Sequence, residues 1–170
     1  MDETEIQAFL RDGYPRLVGA VSLVTGDLAT AEDAVQEAVV RAWERSERGE
    51  QIEALDRWVA AVAMNLSRSG LRRLRVERLA RPRLVAASTV EGPSEDAVDV
   101  RRALAALPRR QREAAVYRYY LDLSTEEIAE AMRTSEGTVK SQLSKARAHL
   151  AETLTPTNGN DEEQSHADVR

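Results

Sequence analysis

The stretch Ser124–Leu150, STEEIAEAMRTSEGTVKSQLSKARAHL, decides how the rest of this chain is read. It reads as two helices joined by a tight turn. Ser124 followed three residues on by Glu127 is a capping-box pattern, in which hydroxyl and carboxylate satisfy amides that a helix leaves open at its start. Ile128, Ala129 and Met132 then recur on one helical face. Ser135 is placed to cap a second helix, whose buried stripe is Val139, Leu143, Ala146 and Leu150. Thr138, Lys140, Ser141, Gln142, Lys145 and Arg147 fall mostly outside that stripe. Two short helices, the second turned outward with polar and basic side chains, make the helix-turn-helix arrangement that reads a DNA major groove. An ordinary helical hairpin with a solvated face has the same pattern, and this segment alone leaves both readings open.

Composition narrows the frame. The 170 residues suit one medium domain or two small ones, and 4% aromatics with few Gly or Pro point to helices around an aliphatic core. No apolar run approaches a membrane span, and the opening MDETEIQAF lacks the features of a signal peptide, so a cytoplasmic protein is expected. Zero cysteines excludes disulfides, thiolate zinc sites and cysteine nucleophiles together.

A net charge of −5 looks wrong for a nucleic-acid binder until it is divided along the chain. Residues 1–56 carry thirteen acids against five arginines. Residues 66–83 reverse this with seven arginines and only Glu77, and Arg101–Arg118 has six arginines and one acid. The tail after Ala151 is acidic again. Such segregation suits a protein that meets phosphate with some surfaces and a protein partner with others.

Helical periodicity predicts a first helix over about Thr4–Val24, kinked or broken near Gly13 because Pro15 lies inside it. Gly26-Asp27 is a turn signal. A second helix is expected from Thr30, with Asp33 at the capping-box position and Ala34, Val35, Ala38, Ala42 and Trp43 inward, ending near Gly49. Asp56 is read as the cap of a third helix through Trp58, Val59, Val62, Ala63, Leu66 and Leu71. Small and polar residues between Pro82 and Pro93 read as a linker. Ser94 opens the second half, with Val98, Leu104 and Leu107 inside; past Pro108, Ala114, Ala115, Tyr119 and Tyr120 are expected against the helix-turn-helix. From Thr155 the chain holds too little apolar surface to offset its entropy, and disorder is expected.

Three pieces in this order resemble one family, the bacterial RNA polymerase sigma factors of the extracytoplasmic-function group. LPRRQREAAVYRYYLDLSTEEIAEAMRTSEGTVKSQLSKARAHL looks like their −35-reading domain. TAEDAVQEAVVRAW looks like the helix that grips the polymerase clamp, and RWVAAVAMNLSRSGLRRLR is similar to the neighbouring helix that contacts and opens the −10 element. The resemblance implies an all-α protein of two small helical domains on a flexible linker: residues 1–81 as region 2, 82–94 as linker, 95–154 as the helix-turn-helix domain of region 4, and 155–170 as an acidic tail. It implies a subunit that binds core RNA polymerase, selects promoters through both elements, and is held in check by an anti-sigma protein.

The implied roles fall on particular residues. Asp33, Gln36, Glu37 and Trp43 would dock on a coiled coil of the largest polymerase subunit; from the residues alone, a solvated helix with Trp43 in the core fits as well. Asn65, Arg68, Arg72, Arg73 and Arg75 would meet the −10 element, the arginines neutralising phosphate. The loop at about Arg48–Ala54 would capture displaced bases, as melting requires bases out of the stack. Arg109, Arg112, Ser135, Glu136, Thr138, Lys140, Ser141, Gln142, Lys145 and Arg147 would meet the −35 duplex.

Two positions depart from the family pattern. Arg133 stands where glycine is usual in the turn, and Gln142 where arginine is frequent. A self-sufficient dimeric helix-turn-helix regulator is the competing reading, weakened by an N-terminal half with neither a ligand pocket pattern nor a coiled-coil dimeriser. Catalysis finds little support: His149 and His166 are the only histidines, and no phosphate loop, metal cluster or nucleophile elbow is seen. No cofactor, metal or catalytic residue is expected.

Overall fold

Pro15 does not break the first helix. In the computed structural model, which describes residues 7–78 and 95–154 (for 69–78 and 95–97 the backbone alone), a π-turn at Phe9–Gly13 runs directly into helix α1, Tyr14–Thr25. The Tyr14 amide bonds back to the Phe9 carbonyl, one residue further than in an α-helix. Proline has no amide to give and its ring crowds the carbonyl four residues earlier; a widened turn ahead of it relieves both problems without ending the helix. The expected start at Thr4 lies outside the described residues.

Gly26 ends α1 with φ 76°, its amide bonding to the Ser22 carbonyl at 2.8 Å, a left-handed stop that glycine adopts most cheaply. Asp27 then caps α2, Leu28–Glu47, accepting the Thr30 amide at 2.9 Å. The expected start at Thr30 is thus one turn late. Asp27 has the extended backbone that lets its carboxylate reach forward, whereas Asp33 sits exposed on the outer face. Helix α3 covers Leu55–Arg78, its first described helical bond running from the Trp58 amide to the Ala54 carbonyl. Asp56 lies in the first turn, not at the cap, where its charge suits the positive end of the helix.

Small residues bring α2 and α3 together. Ala31, Ala34, Val35, Ala38 and Ala42 are buried on one side, Val59, Ala60, Ala63 and Met64 on the other. Leu17, Val18, Val21 and Val24 of α1 close this three-helix unit. At about 0.8 kcal/mol per buried methylene, these side chains supply its cohesion.

The second half contains α4 (Glu95–Ala106), α5 (Arg109–Ala115) with a π-turn at Val116–Tyr120, α6 (Thr125–Met132) and α7 (Glu136–Leu154). Here two expectations fail. Tyr119 and Tyr120 are exposed, at 58% and 41%, while Val116, Tyr117 and Leu121 are buried. The extra residue in the π-turn advances the inward face by one position, so a count at α-helical spacing picks the wrong tyrosines. Val98 is exposed as well, because α4 lays only its C-terminal half (Ala103, Leu104) on the core, followed by Leu107 just past its end.

The two halves pack on each other. A single cluster of buried apolar residues runs from Leu17, Val21 and Val59 to Val116, Tyr117, Ile128, Met132 and Val139. Helix α1 touches α4, α5 and the second π-turn, and α3 touches α6. The expected linker at 82–94 and the tail at 155–170 lie outside the described residues. No strand occurs among those described.

Candidate nucleic-acid interface

The helix-turn-helix is built by its caps. Ser124 Oγ accepts the Glu127 amide at 3.1 Å, and the Glu127 carboxylate accepts the Ser124 amide at 2.7 Å, so both halves of the capping box form. These bonds hold the Glu127 carboxyl below its usual pKa. The Ser124 amide is the main cause, partly opposed by burial, with smaller help from the Ser124 hydroxyl and from Arg57. Helix α6 stops at Arg133, which takes the left-handed conformation at φ 50°. Arginine therefore occupies the position where glycine would be relaxed. Ser135 Oγ accepts the Thr138 amide at 3.2 Å and starts α7.

Helix α7 seals Val139, Leu143 and Ala146, with Leu150 half-buried. Ser135, Glu136, Thr138, Lys140, Ser141, Lys145 and Arg147 are exposed, and Gln142 is half-buried. Lys140 pairs with Glu136 at 3.3 Å, both well exposed, an arrangement that holds neither tightly. Among the −35 candidates, Arg109 and Arg112 stand apart from this row. Arg109 donates to Ser67 Oγ at 3.2 Å. Arg112 donates to three carbonyls: Val24 at 3.0 Å, Ala105 at 2.6 Å and Leu107 at 3.0 Å. Burial pulls both guanidinium pKa values below the usual arginine value, and at Arg109 the Glu113 carboxylate opposes the shift. In this conformation Arg112 ties helix ends together and Arg109 reaches across to the other half.

The −10 candidates sit on α3. Asn65 accepts a bond from Arg68 at 2.9 Å. Arg68 also pairs with Glu113, a carboxylate 0% exposed in the opposite half. Sequence reasoning missed Glu113, because nothing in LPRRQREAAV distinguishes a buried acid from a solvated one. Arg72, Arg73 and Arg75 lie on the same helix, but their side chains fall outside the described residues. Arg57, likewise unanticipated, pairs with Glu127 of the capping box.

A third surface lies on α2. Asp33, Gln36 and Glu37 are exposed, and so are Val40 at 52% and Trp43 at 48%. The inward placement expected for Trp43 is incorrect; of the two tryptophans it is Trp58 that is half-buried, with the Arg45 guanidinium 5.8 Å from its ring centre. Val40 and Trp43 are thus two exposed apolar side chains about one turn apart, with acidic side chains beside them on the same helix. The loop after α2 borders a cavity of about 650 Å³, lined by Phe9, Asp12, Glu50, Gln51, Ile52 and Asp56 among others. Among the described residues no group of ligands suited to a metal ion occurs, and no helix is long and apolar enough to cross a membrane.

The chain matches the family models for sigma-70 region 2 over residues 9–77 and sigma-70 region 4 over residues 97–150. It is 35% identical to the extracytoplasmic-function RNA polymerase sigma factor SigL of Mycobacterium tuberculosis, over 89% of this chain and 90% of that protein. It is 32% identical to the probable RNA polymerase sigma factor RfaY of Xanthomonas campestris, over 81% of this chain and only 37% of that protein's length. Among solved structures it superposes on sigma factor RpoE from Bartonella quintana, crystallised with the anti-sigma factor NepR. The TM-score is 0.77 at 27% identity, covering 90% of this chain and 98% of that one.

Proposed function

The chain belongs to the extracytoplasmic-function RNA polymerase sigma factors, and on that premise we propose how its surfaces divide the work of starting transcription. It is a regulatory DNA-binding subunit, with no catalytic family indicated. Residues 1–81 act as the polymerase- and −10-binding domain and 95–154 as the −35-binding domain, joined through 82–94, in the cytoplasm.

The observation that carries this division is the outward row of α7. Thr138, Lys140, Ser141, Lys145 and Arg147 are exposed while Val139, Leu143 and Ala146 seal the helix to its support. Side chains of these lengths reach base edges and phosphates when a recognition helix enters the major groove. The α2 face, with Asp33, Gln36, Glu37, Val40 and Trp43, docks on the clamp coiled coil of the largest polymerase subunit. Trp43 is its anchor, since exposed tryptophan is rare outside interfaces and enriched at their centres. Asn65 and the arginines of α3 meet the −10 element. The cavity beside the α2–α3 loop accepts a displaced base, and its acids favour bases that present an amino donor. The RpoE complex supports an anti-sigma protein as a further partner.

Core RNA polymerase alone and core polymerase with this chain, compared by start-site mapping on a genomic template, test the proposal. New, defined starts are expected with the chain. Identical transcription with and without it would refute the proposal.

A further inference from the structure

The turn between α6 and α7 carries an arginine at a backbone position that favours glycine. The Thr134 amide bonds back to the Ala129 carbonyl at 2.9 Å, and the Arg133 amide to the Glu130 carbonyl at 3.0 Å. This nested pair of bonds closes a helix around a residue in the left-handed conformation, and Arg133 supplies it at φ 50°. A Cβ makes that angle unfavourable, so the same turn would close more easily on glycine. Backbone strain of this kind collects at functional sites, where a contact outside the local fold retains it.

No contact among the described residues retains this one. The Arg133 side chain is exposed, and its guanidinium has no hydrogen-bond or ion-pair partner among them. The nearest acids in sequence do not hold it: Glu136 pairs with Lys140 instead, at 3.3 Å, and Glu130 forms no bridge to it. A second arginine stands at the same turn. Arg110 of α5 donates to the Met132 carbonyl at 3.5 Å, in the peptide group that joins Met132 to Arg133. Its side chain is 53% exposed, and its ion pair with Glu113 is stretched to 4.0 Å. Arg109 and Arg112, by contrast, are turned inward to Ser67 and to backbone carbonyls.

Two exposed cations brought to one turn from different helices repel each other and favour anions beside them. The turn leads directly into Ser135, Glu136, Thr138, Lys140 and Ser141, the exposed end of α7 that enters a major groove. The rim of that groove is a row of phosphates.

We propose that Arg133 and Arg110 form a clamp on adjacent phosphates at the rim of the −35 groove, and that the strained turn is kept for this contact. The inference rests on the assignment of α7 to −35 DNA and adds two residues outside the exposed row of that helix. Because phosphate carries no sequence, the clamp sets affinity and register, not promoter choice. An acidic protein surface is the other anion that could meet the pair, and the experiment tells the two apart.

Arg133→Gly, Arg133→Lys and Arg110→Ala are compared with the unaltered chain, each assembled with saturating core polymerase and titrated with promoter duplexes of differing −35 sequence. Arg133→Gly removes strain and charge together. The free chain is expected to melt higher, while promoter affinity falls about fivefold at low salt, the weight of one ordinary net hydrogen bond. With one phosphate fewer neutralised, the salt slope falls by about 0.9, so the deficit shrinks roughly 3.5-fold between about 50 and about 200 mM salt. The loss is equal for every −35 sequence. Arg133→Lys keeps the unaltered slope. Arg110→Ala gives the shallower slope with no rise in melting temperature.

A stabilised Arg133→Gly protein whose promoter affinity and slope are unchanged overturns the clamp. A loss confined to the binding of core polymerase also overturns it and assigns the pair to an acidic protein surface. A loss that varies with −35 sequence overturns it in favour of a base contact. Where the unaltered chain itself confers no promoter binding, the −35 reading of α7 fails and the clamp falls with it.

Discussion

Replacing Glu127 by alanine separates two explanations of how α6 is fixed. Its carboxylate accepts the Ser124 amide at 2.7 Å and pairs with Arg57 of the other half. The cap bond is charge-assisted but exposed, and is worth about 1.5 kcal/mol, the low end for a charged partner. The ion pair joins side chains 42% and 30% exposed, so screening limits it to about 0.5 kcal/mol. The cap should therefore dominate. Glu127→Ala is expected to cost about 1.5–2 kcal/mol and Ser124→Ala about 1 kcal/mol. At roughly 2–4 °C per kcal/mol for a chain of this size, Glu127→Ala lowers Tm by about 3–8 °C.

Circular dichroism melts of the single variants, of Arg57→Ala and of Arg57→Ala with Glu127→Ala close the cycle. Coupling between Arg57 and Glu127 should stay below about 0.5 kcal/mol. Acid gives a second check. Because the Glu127 carboxyl titrates below its ordinary value of 4.5 in the folded chain, its contribution is complete above that pH and is lost as pH falls through the lowered folded value. The stability gap to Glu127→Gln should thus be constant near neutrality and close in acid. Coupling above about 1 kcal/mol, or a gap that widens in acid, would refute the reasoning.

Trp43→Ala is expected to weaken binding to core polymerase roughly tenfold to thirtyfold while shifting stability by less than about 0.5 kcal/mol, as a competition assay and a melt would show. An equal loss of stability would return Trp43 to the core. Lys140→Ala should lower affinity for −35 duplexes of every sequence alike and reduce the salt slope by about 0.9, measured on the chain assembled with polymerase. Arg133→Gly should raise stability by about 1 kcal/mol, because φ 50° is strained only for residues with a Cβ; denaturant titration reads it.

The caps and stripes of the helix-turn-helix are legible because they depend on neighbours in sequence. Ser124, Glu127 and Ser135 act within three residues of themselves, and Val139, Leu143 and Ala146 repeat at helical spacing. The all-α class and the exposed row of α7 follow from the same local signals. The tyrosines are misplaced by periodicity because a π-turn inserts a residue that no composition marks. Asp27 escapes notice as a cap because Thr30 and Asp33 imitate one. Trp43 resists assignment from periodicity, since the same helical spacing serves a core and an interface. The cross-half pairs are beyond reach for a different reason. Arg68 and Glu113 are 45 residues apart, and only the tertiary approach of α3 and α5 makes the acid buried and the base its partner.

The alanine seam between α2 and α3 bears on how firmly the outer face of α2 can hold a guest. With Ala31, Ala34, Ala38 and Ala42 on one side and Ala60 and Ala63 on the other, the two backbones come close, and the long side chain buried beside them, Met64, is fully enclosed and so has little room to change rotamer and let one helix slide. Val40 and Trp43 therefore ride on a platform whose shape is settled before any visitor arrives. Little freedom is left to be surrendered on docking, so a modest patch can grip more tightly than its size suggests.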